Sequence, residues 1–236
     1  MGVKWKEEDP LALEHVLFEE LDLNNTLTIE GRLAFFKNFM KYLQHNRSEE
    51  IKGRTPESLR NNIREFKDFC FELGFTLKDI ILILKISPTI LNISIESLRD
   101  KYALMGLIDD HSHYLRKTKL ILCPDDYRVS NELIYARYML MKTLDYPNIN
   151  WSNMIHASEK EFAKIFVKKE GGYNKPYKVF SSIEELTREN LLRMFPYDRE
   201  FVSKLRSKEV NEKSKTARSC FCAAGQSANI CSTVKS

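Results

Sequence analysis

Pro88 and Pro124 stand 36 residues apart, and around them the chain repeats itself. Leu84 aligns with Leu120, Ser94 with Ser130, Glu96 with Glu132, Tyr102 with Tyr138, Leu104 with Leu140 and Met105 with Met141. A looser echo links Glu57-Ser-Leu-Arg60 to Glu96-Ser-Leu-Arg99, at a spacing of 39. A period of this length marks a unit of a few helices that cannot cover its own apolar edge, so neighbouring units must stack. Proline suits the first position of a helix, where a missing N–H costs nothing, and its fixed φ sets the change of direction between helices.

The helices are legible around this repeat. Eight glycines and seven prolines in 236 residues are too few for a chain that turns every ten residues. Pro10 opens a helix to about Leu21, with Leu11, Leu13, Val16, Leu17 and Leu21 as its apolar side. A second runs from about Ile29 to His45, with Leu33, Phe36, Met40 and Leu43 on one face. Thr55 caps a third at Pro56, which carries Leu59, Ile63, Phe66, Cys70 and Leu73 to a C-cap at Gly74. Thr76 with Asp79, and Ser158 with Glu161, have the spacing of capping boxes, and Ser94 caps a helix to about Leu107. Two short helices are expected over 151–157 and 158–168. Ser181 and Glu184 read as a further capping box opening a helix with Ile183, Leu186, Leu191 and Met194. Phe201, Val202 and Leu205 mark the last helix. The expected fold is all-α: a right- or left-handed stack of short helices, α-solenoid-like, with non-repeat helical ends. Residues 1–50 read as an acidic helical hairpin, 51–150 as the repeats, 151–210 as C-terminal helices with a basic and aromatic loop, and 211–236 as a disordered tail.

Several function classes are disfavoured. No apolar run approaches eighteen residues, so no membrane partner is expected. The acidic amino terminus lacks the apolar core of a secretory signal and the acid-poor character of a transit peptide. Lys6 stands where myristoylation wants Ser or Thr, and a cytoplasmic protein is expected. Five cysteines, an odd number, argue against a disulfide framework; Cys70 and Cys123 read as buried side chains. No nucleotide-binding glycine loop, nucleophile elbow or HExxH occurs, so neither enzyme nor cofactor is expected. Glu19 and Glu20 read as surface carboxylates.

The stretch Gly74-Phe-Thr-Leu-Lys-Asp-Ile-Ile-Leu-Ile-Leu-Lys-Ile-Ser-Pro-Thr-Ile-Leu91 resembles a repeat of the mitochondrial transcription termination factor family, and the resemblance extends over 55–168. The family's leucine three residues past the proline is met by Leu91 and Leu59, with Tyr127 in that place after Pro124. Leu98 and Met105, then Ile134 and Met141, approximate the leucines that follow. The resemblance implies a curved stack of helices whose basic groove binds double- or single-stranded nucleic acid, without catalysis.

The charge distribution agrees in direction. Residues 1–50 hold 6 Lys/Arg against 10 Asp/Glu, and residues 111–180 hold 12 against 7. Lys164, Lys168, Lys169, Lys175 and Lys178 are candidate phosphate contacts, with Tyr173 and Tyr177 as bases' stacking partners. Arg116, Lys117, Lys119, Arg128 and Arg137 form a second candidate set, tracking a backbone along one wall. The bland alternatives are tyrosines folded back on helix ends and basic side chains lying over the repeat's leucines. Asp109-Asp-His-Ser-His113 has metal-ligand chemistry but no further ligand at a fixed spacing, and Cys220, Cys222 and Cys231 lack a fourth; no metal is expected. The function expected is nucleic-acid binding, DNA or RNA, in transcription or RNA metabolism. The alternative is a protein-interaction scaffold or regulatory adaptor with a modifiable Cys/Ser/Thr-rich tail.

Overall fold

The computed structural model describes residues 10–45, 56–108, 113–169 and 175–208. These residues are helices and connecting turns, apart from one isolated parallel bridge between Val167 and Phe180. The fold is all-α. In chain order the helices are α1 (Pro10–Glu20), α2 (Leu23–Thr26), α3 (Ile29–His45), α4 (Pro56–Glu72), α5 (Leu77–Ile86), α6 (Ile95–Met105), α7 (His113–Leu122), α8 (Asn131–Thr143), α9 (Glu159–Phe166), α10 (Arg188–Met194) and α11 (199–208). Tight 3₁₀ turns at Pro88–Asn92 and Pro124–Arg128 separate α5 from α6 and α7 from α8. A π-turn at Ser152–His156 precedes α9.

The local signals act as their chemistry requires. Thr76 and Asp79 form the reciprocal capping box of α5, and Ser158 and Glu161 that of α9. Ser94 and Ser130, 36 residues apart, each accept the N–H three residues on and so open α6 and α8 alike. Gly74 ends the α4 segment at φ 74°, a conformation that costs an L-residue strain. Ser181 behaves otherwise. Glu185 accepts the N–H groups of both Ser181 and Ser182, only a 3₁₀ turn follows at Glu184–Leu186, and the helix starts later, capped by Thr187.

Packing follows the repeat. α4 touches α6, α6 touches α8 and α8 touches α10, while α3 touches α5 and α5 touches α7, with the two 3₁₀ turns against each other between these rows. One cluster of buried side chains runs from Val16 to Val202, so the core crosses the changes of sequence pattern near residues 50 and 150. α1 lies on α4, and there Glu20 is buried rather than exposed. Its carboxylate lies 2.8 Å from Arg64 and 3.9 Å from Lys67, and Glu19 pairs with Arg60 at 3.0 Å. Glu19 and Glu20 of α1 are therefore spent on α4.

A side-chain tie recurs at each junction. Asn62 of α4 donates to the Leu91 carbonyl at 3.3 Å. Lys101 of α6, at the matching position, donates to the Tyr127 carbonyl. Arg137 of α8 donates to the carbonyls of Met154 and Ala157 at 3.0 and 2.7 Å. Leu91 and Tyr127 are themselves 36 residues apart, each three past its proline. Such a bond is favourable only because a cation or amide answers a carbonyl dipole inside the core.

Candidate binding surface

Two of the expected phosphate contacts belong to the interior. Arg116, on α7, is 8% exposed, donates to the Tyr102 carbonyl at 2.8 Å and lies 4.6 Å above the Tyr102 ring. Gly106 makes room for it, since a Cβ there would meet the guanidinium at 2.9 Å. Arg137 is 3% exposed and sits 4.8 Å above Phe162. Burial pulls its pKa down to about 10, against the charge of Glu159, and that still leaves it cationic at neutral pH. Neither side chain reaches a surface. The helical register turns both inward, where carbonyls and ring faces replace water.

The others divide. Lys117 donates to the Gly74 carbonyl at 2.5 Å, stands 3.7 Å from Asp79 and caps the Phe75 ring at 4.9 Å, so it clamps α7 to the start of α5. Lys119 lies 5.4 Å over Trp151, and exposed Arg128 stands 4.0 Å from Asp125. Tyr177 packs edge-on against Tyr146 at 4.9 Å and Phe166 at 6.4 Å. Lys178 donates to the carbonyls of Lys164 and Val167, both at 3.1 Å, closing the end of α9. These two fold back on a helix end. Lys164, Lys168, Lys169 and Lys175 remain exposed around it. Tyr173, residues 109–112, the His113 side chain and the tail with Cys220, Cys222 and Cys231 lie outside the described residues. Among the described residues no group of three His, Cys, Asp or Glu is arranged to hold a metal. Burial pushes the Cys70 thiol up, as expected of an inert core cysteine.

The face that stands out was hidden in the apolar run of α5. Ile80, Ile81, Ile83 and Leu84 are buried, whereas Lys78, Leu82, Lys85 and Ile86 are exposed along one stripe. Thirty-six residues on, α7 places Tyr114, Thr118, Ile121 and Leu122 at the same positions, with Tyr114 73% and Leu122 61% exposed. Because α5 packs on α7, the two stripes lie side by side. α3, on the far side of α5, exposes Ile29, Leu33 and Lys37. Acids are scarce here: α7 has none, and α5 has only Asp79. Partial burial works against the Asp79 charge, but the Thr76 N–H and hydroxyl and the nearby Lys117 hold its carboxyl below the usual range. The sequence signal was an apolar content greater than one buried face of a ten-residue helix needs. No family model, curated protein or solved structure matches the chain.

Proposed function

We propose that the chain is a non-catalytic helical-repeat scaffold that binds a protein partner on the α5/α7 face. The carrying observation is the pair of matched stripes, which leaves Leu82 and Ile86 of α5 and Tyr114 and Leu122 of α7 exposed, with Lys78 and Lys85 in the α5 stripe. Apolar side chains gathered on one face are the usual mark of an interaction surface, and Lys78 and Lys85 favour an acidic partner. The order of helix, proline-started turn and longer helix supports an α-solenoid stack and is what the mitochondrial transcription termination factor-like repeat implies. The test places a photo-crosslinking residue at Ile86, Leu122 or, as control, Asp68 on α4. Recovery of one partner from Ile86 and Leu122 but not from Asp68, lost on Leu82→Glu, supports the reading; equal recovery from all three sites ends it.

Nucleic-acid binding, in transcription or RNA metabolism, is the second reading, favoured by the exposed Lys164, Lys168, Lys169 and Lys175 around one helix end. Four phosphate contacts would give a slope of about −3.6 in log K against log salt on duplex DNA. Replacing Lys164 and Lys168 by Gln is expected to remove about half of that slope. No retention of DNA or RNA at low salt would set this reading aside.

A further inference from the structure

The spacing of the α5/α7 face narrows what can lie on it. Lys78, Leu82, Lys85 and Ile86 follow at intervals of four, three and one, which keeps them on one side of α5. Tyr114, Thr118, Ile121 and Leu122 repeat those intervals on α7. Each stripe runs for about 12 Å along its helix, a little over two turns. Packed helices lie about 8–10 Å apart, so the two stripes wall a groove with side chains at helical spacing. The ridge of a third helix fits such a groove, with apolar anchors at i, i+4 and i+7. An extended strand has nothing to pair with here, because α5 and α7 bond their own backbone groups.

Charge is set on one wall of that groove. Lys78 and Lys85 are exposed in the α5 stripe, whereas the matching residues of α7, Tyr114 and Ile121, carry none. The two lysines of α7 are turned elsewhere, Lys117 to the Gly74 carbonyl and Asp79, and Lys119 to the Trp151 ring. Asp79, the one acid on α5, is committed to Thr76 and Lys117. Neither helix therefore offers Lys78 or Lys85 a counter-charge. A second copy docking through the same face would set these lysines against their own counterparts. Residues 209–236, with 4 Lys/Arg against 2 Asp/Glu, do not bring the complementary charge either.

We propose that the partner docks an amphipathic α-helix in the groove between α5 and α7, with acidic residues along one flank lying over Lys78 and Lys85. The inference rests on the protein-binding reading of this face and names what the partner brings to it. Its apolar anchors lie between Leu82 and Ile86 on one wall and Tyr114 and Leu122 on the other. Lys78 and Lys85 stand seven residues apart, so acids two turns apart on the docked helix meet both.

Full-length protein titrated with four synthetic peptides sharing one set of apolar anchors tests it by amide chemical shift. Three are stapled helices, since short free helices are marginal in water: one with Glu on one flank, one with Glu on both, one with Lys on one. The fourth is the first sequence, unstapled and interrupted by proline. Saturable shifts are expected at Leu82, Ile86, Thr118 and Leu122 with both Glu helices, within about twofold in affinity, because only one wall is charged. The Lys helix and the proline peptide are expected to bind about tenfold more weakly. Lys85→Gln is expected to weaken the one-flank Glu helix about threefold, and Lys78→Glu/Lys85→Glu to reverse the preference between Glu and Lys helices. Equal binding of the proline peptide, equal binding of Glu and Lys helices, or affinities unmoved in these variants would each overturn the proposal, while shifts at the same residues would keep the face as a protein-binding surface. No shift with any peptide at millimolar concentration also overturns it, and crosslinking at Ile86 and Leu122 no greater than at Asp68 would remove the face as well. Binding to phosphatidylserine vesicles without binding to the Glu helices, or a dimer that Leu82→Glu dissolves, would give the groove to a lipid surface or to a second copy instead.

Discussion

Lys101 carries a full charge to a site only 2% exposed, answered by one carbonyl and a neighbouring carboxylate. Burial pulls its pKa down to about 8, although Glu132 works the other way. In the unfolded chain the lysine keeps its ordinary value near 10.5. Between those values the unfolded state holds more protons, so this group makes stability rise with pH, by up to about 3 kcal/mol across the window. Urea midpoints of wild type and Lys101→Met from pH 7 to 10 check this; the variant is expected to lose the rise. The comparison cancels the buried Cys70 thiol and the tyrosines, which titrate in both. Arg137→Ala, which leaves the Met154 and Ala157 carbonyls without their donor, is expected to cost about 2–4 kcal/mol in the same assay. Burial at these positions was the least legible feature of the sequence, because a periodicity reading assigns every Lys and Arg to solvent. A signal did exist: Lys101 and Arg137 are both basic at matching repeat positions, within helices otherwise rich in core residues.

Among the elements, α5 presents two apolar faces with different destinies. Ile83 is fully buried and Leu82 is 40% exposed, one residue apart on the same helix. Ile83→Ala is expected to cost about 2–4 kcal/mol and Leu82→Ala less than about 0.5 kcal/mol, read from thermal or urea unfolding. Ser94 and Ser130 cap α6 and α8 alike, and Ser130 Oγ also accepts from Arg188 at 3.3 Å, so Ser94→Ala is expected to cost about 1 kcal/mol and Ser130→Ala at least as much. These caps were legible because Ser, Thr and Asp act on backbone groups only three residues away. Ser181 deceived for the same reason that makes the rule useful: a carboxylate one residue further, Glu185, took its N–H, and the chain turned once before Thr187 began the helix. The outward stripe of α5 was illegible in type as well as place, since leucine on a solvent face and leucine in a core look alike until the neighbours are known.

Among the described residues, the core that runs from Val16 to Val202 joins the N-terminal helices to the repeats and to α11. Trp151, 5% exposed and donating to Asp126 at 2.8 Å, reports on the junction beyond the second 3₁₀ turn. Its near-UV signal is expected to be lost in the same urea transition as far-UV helicity, and a separated Trp151 transition would show the C-terminal helices melting apart. The period was visible from the prolines alone, but the seating of α1 on α4 was not, because that contact joins residues some forty positions apart through ion pairs that no local pattern announces. The ties between units have one more consequence. Each donor is a side chain, but each acceptor is a main-chain oxygen, at Leu91, Tyr127, Met154 and Ala157. An oxygen of that kind belongs to every amino acid, so the receiving residues can be exchanged in kind, as Leu91 and Tyr127 already differ, without loss of the joint. Heritable change can therefore reshape the receiving side of a unit freely while the donating side, a single position per unit, keeps the whole in order.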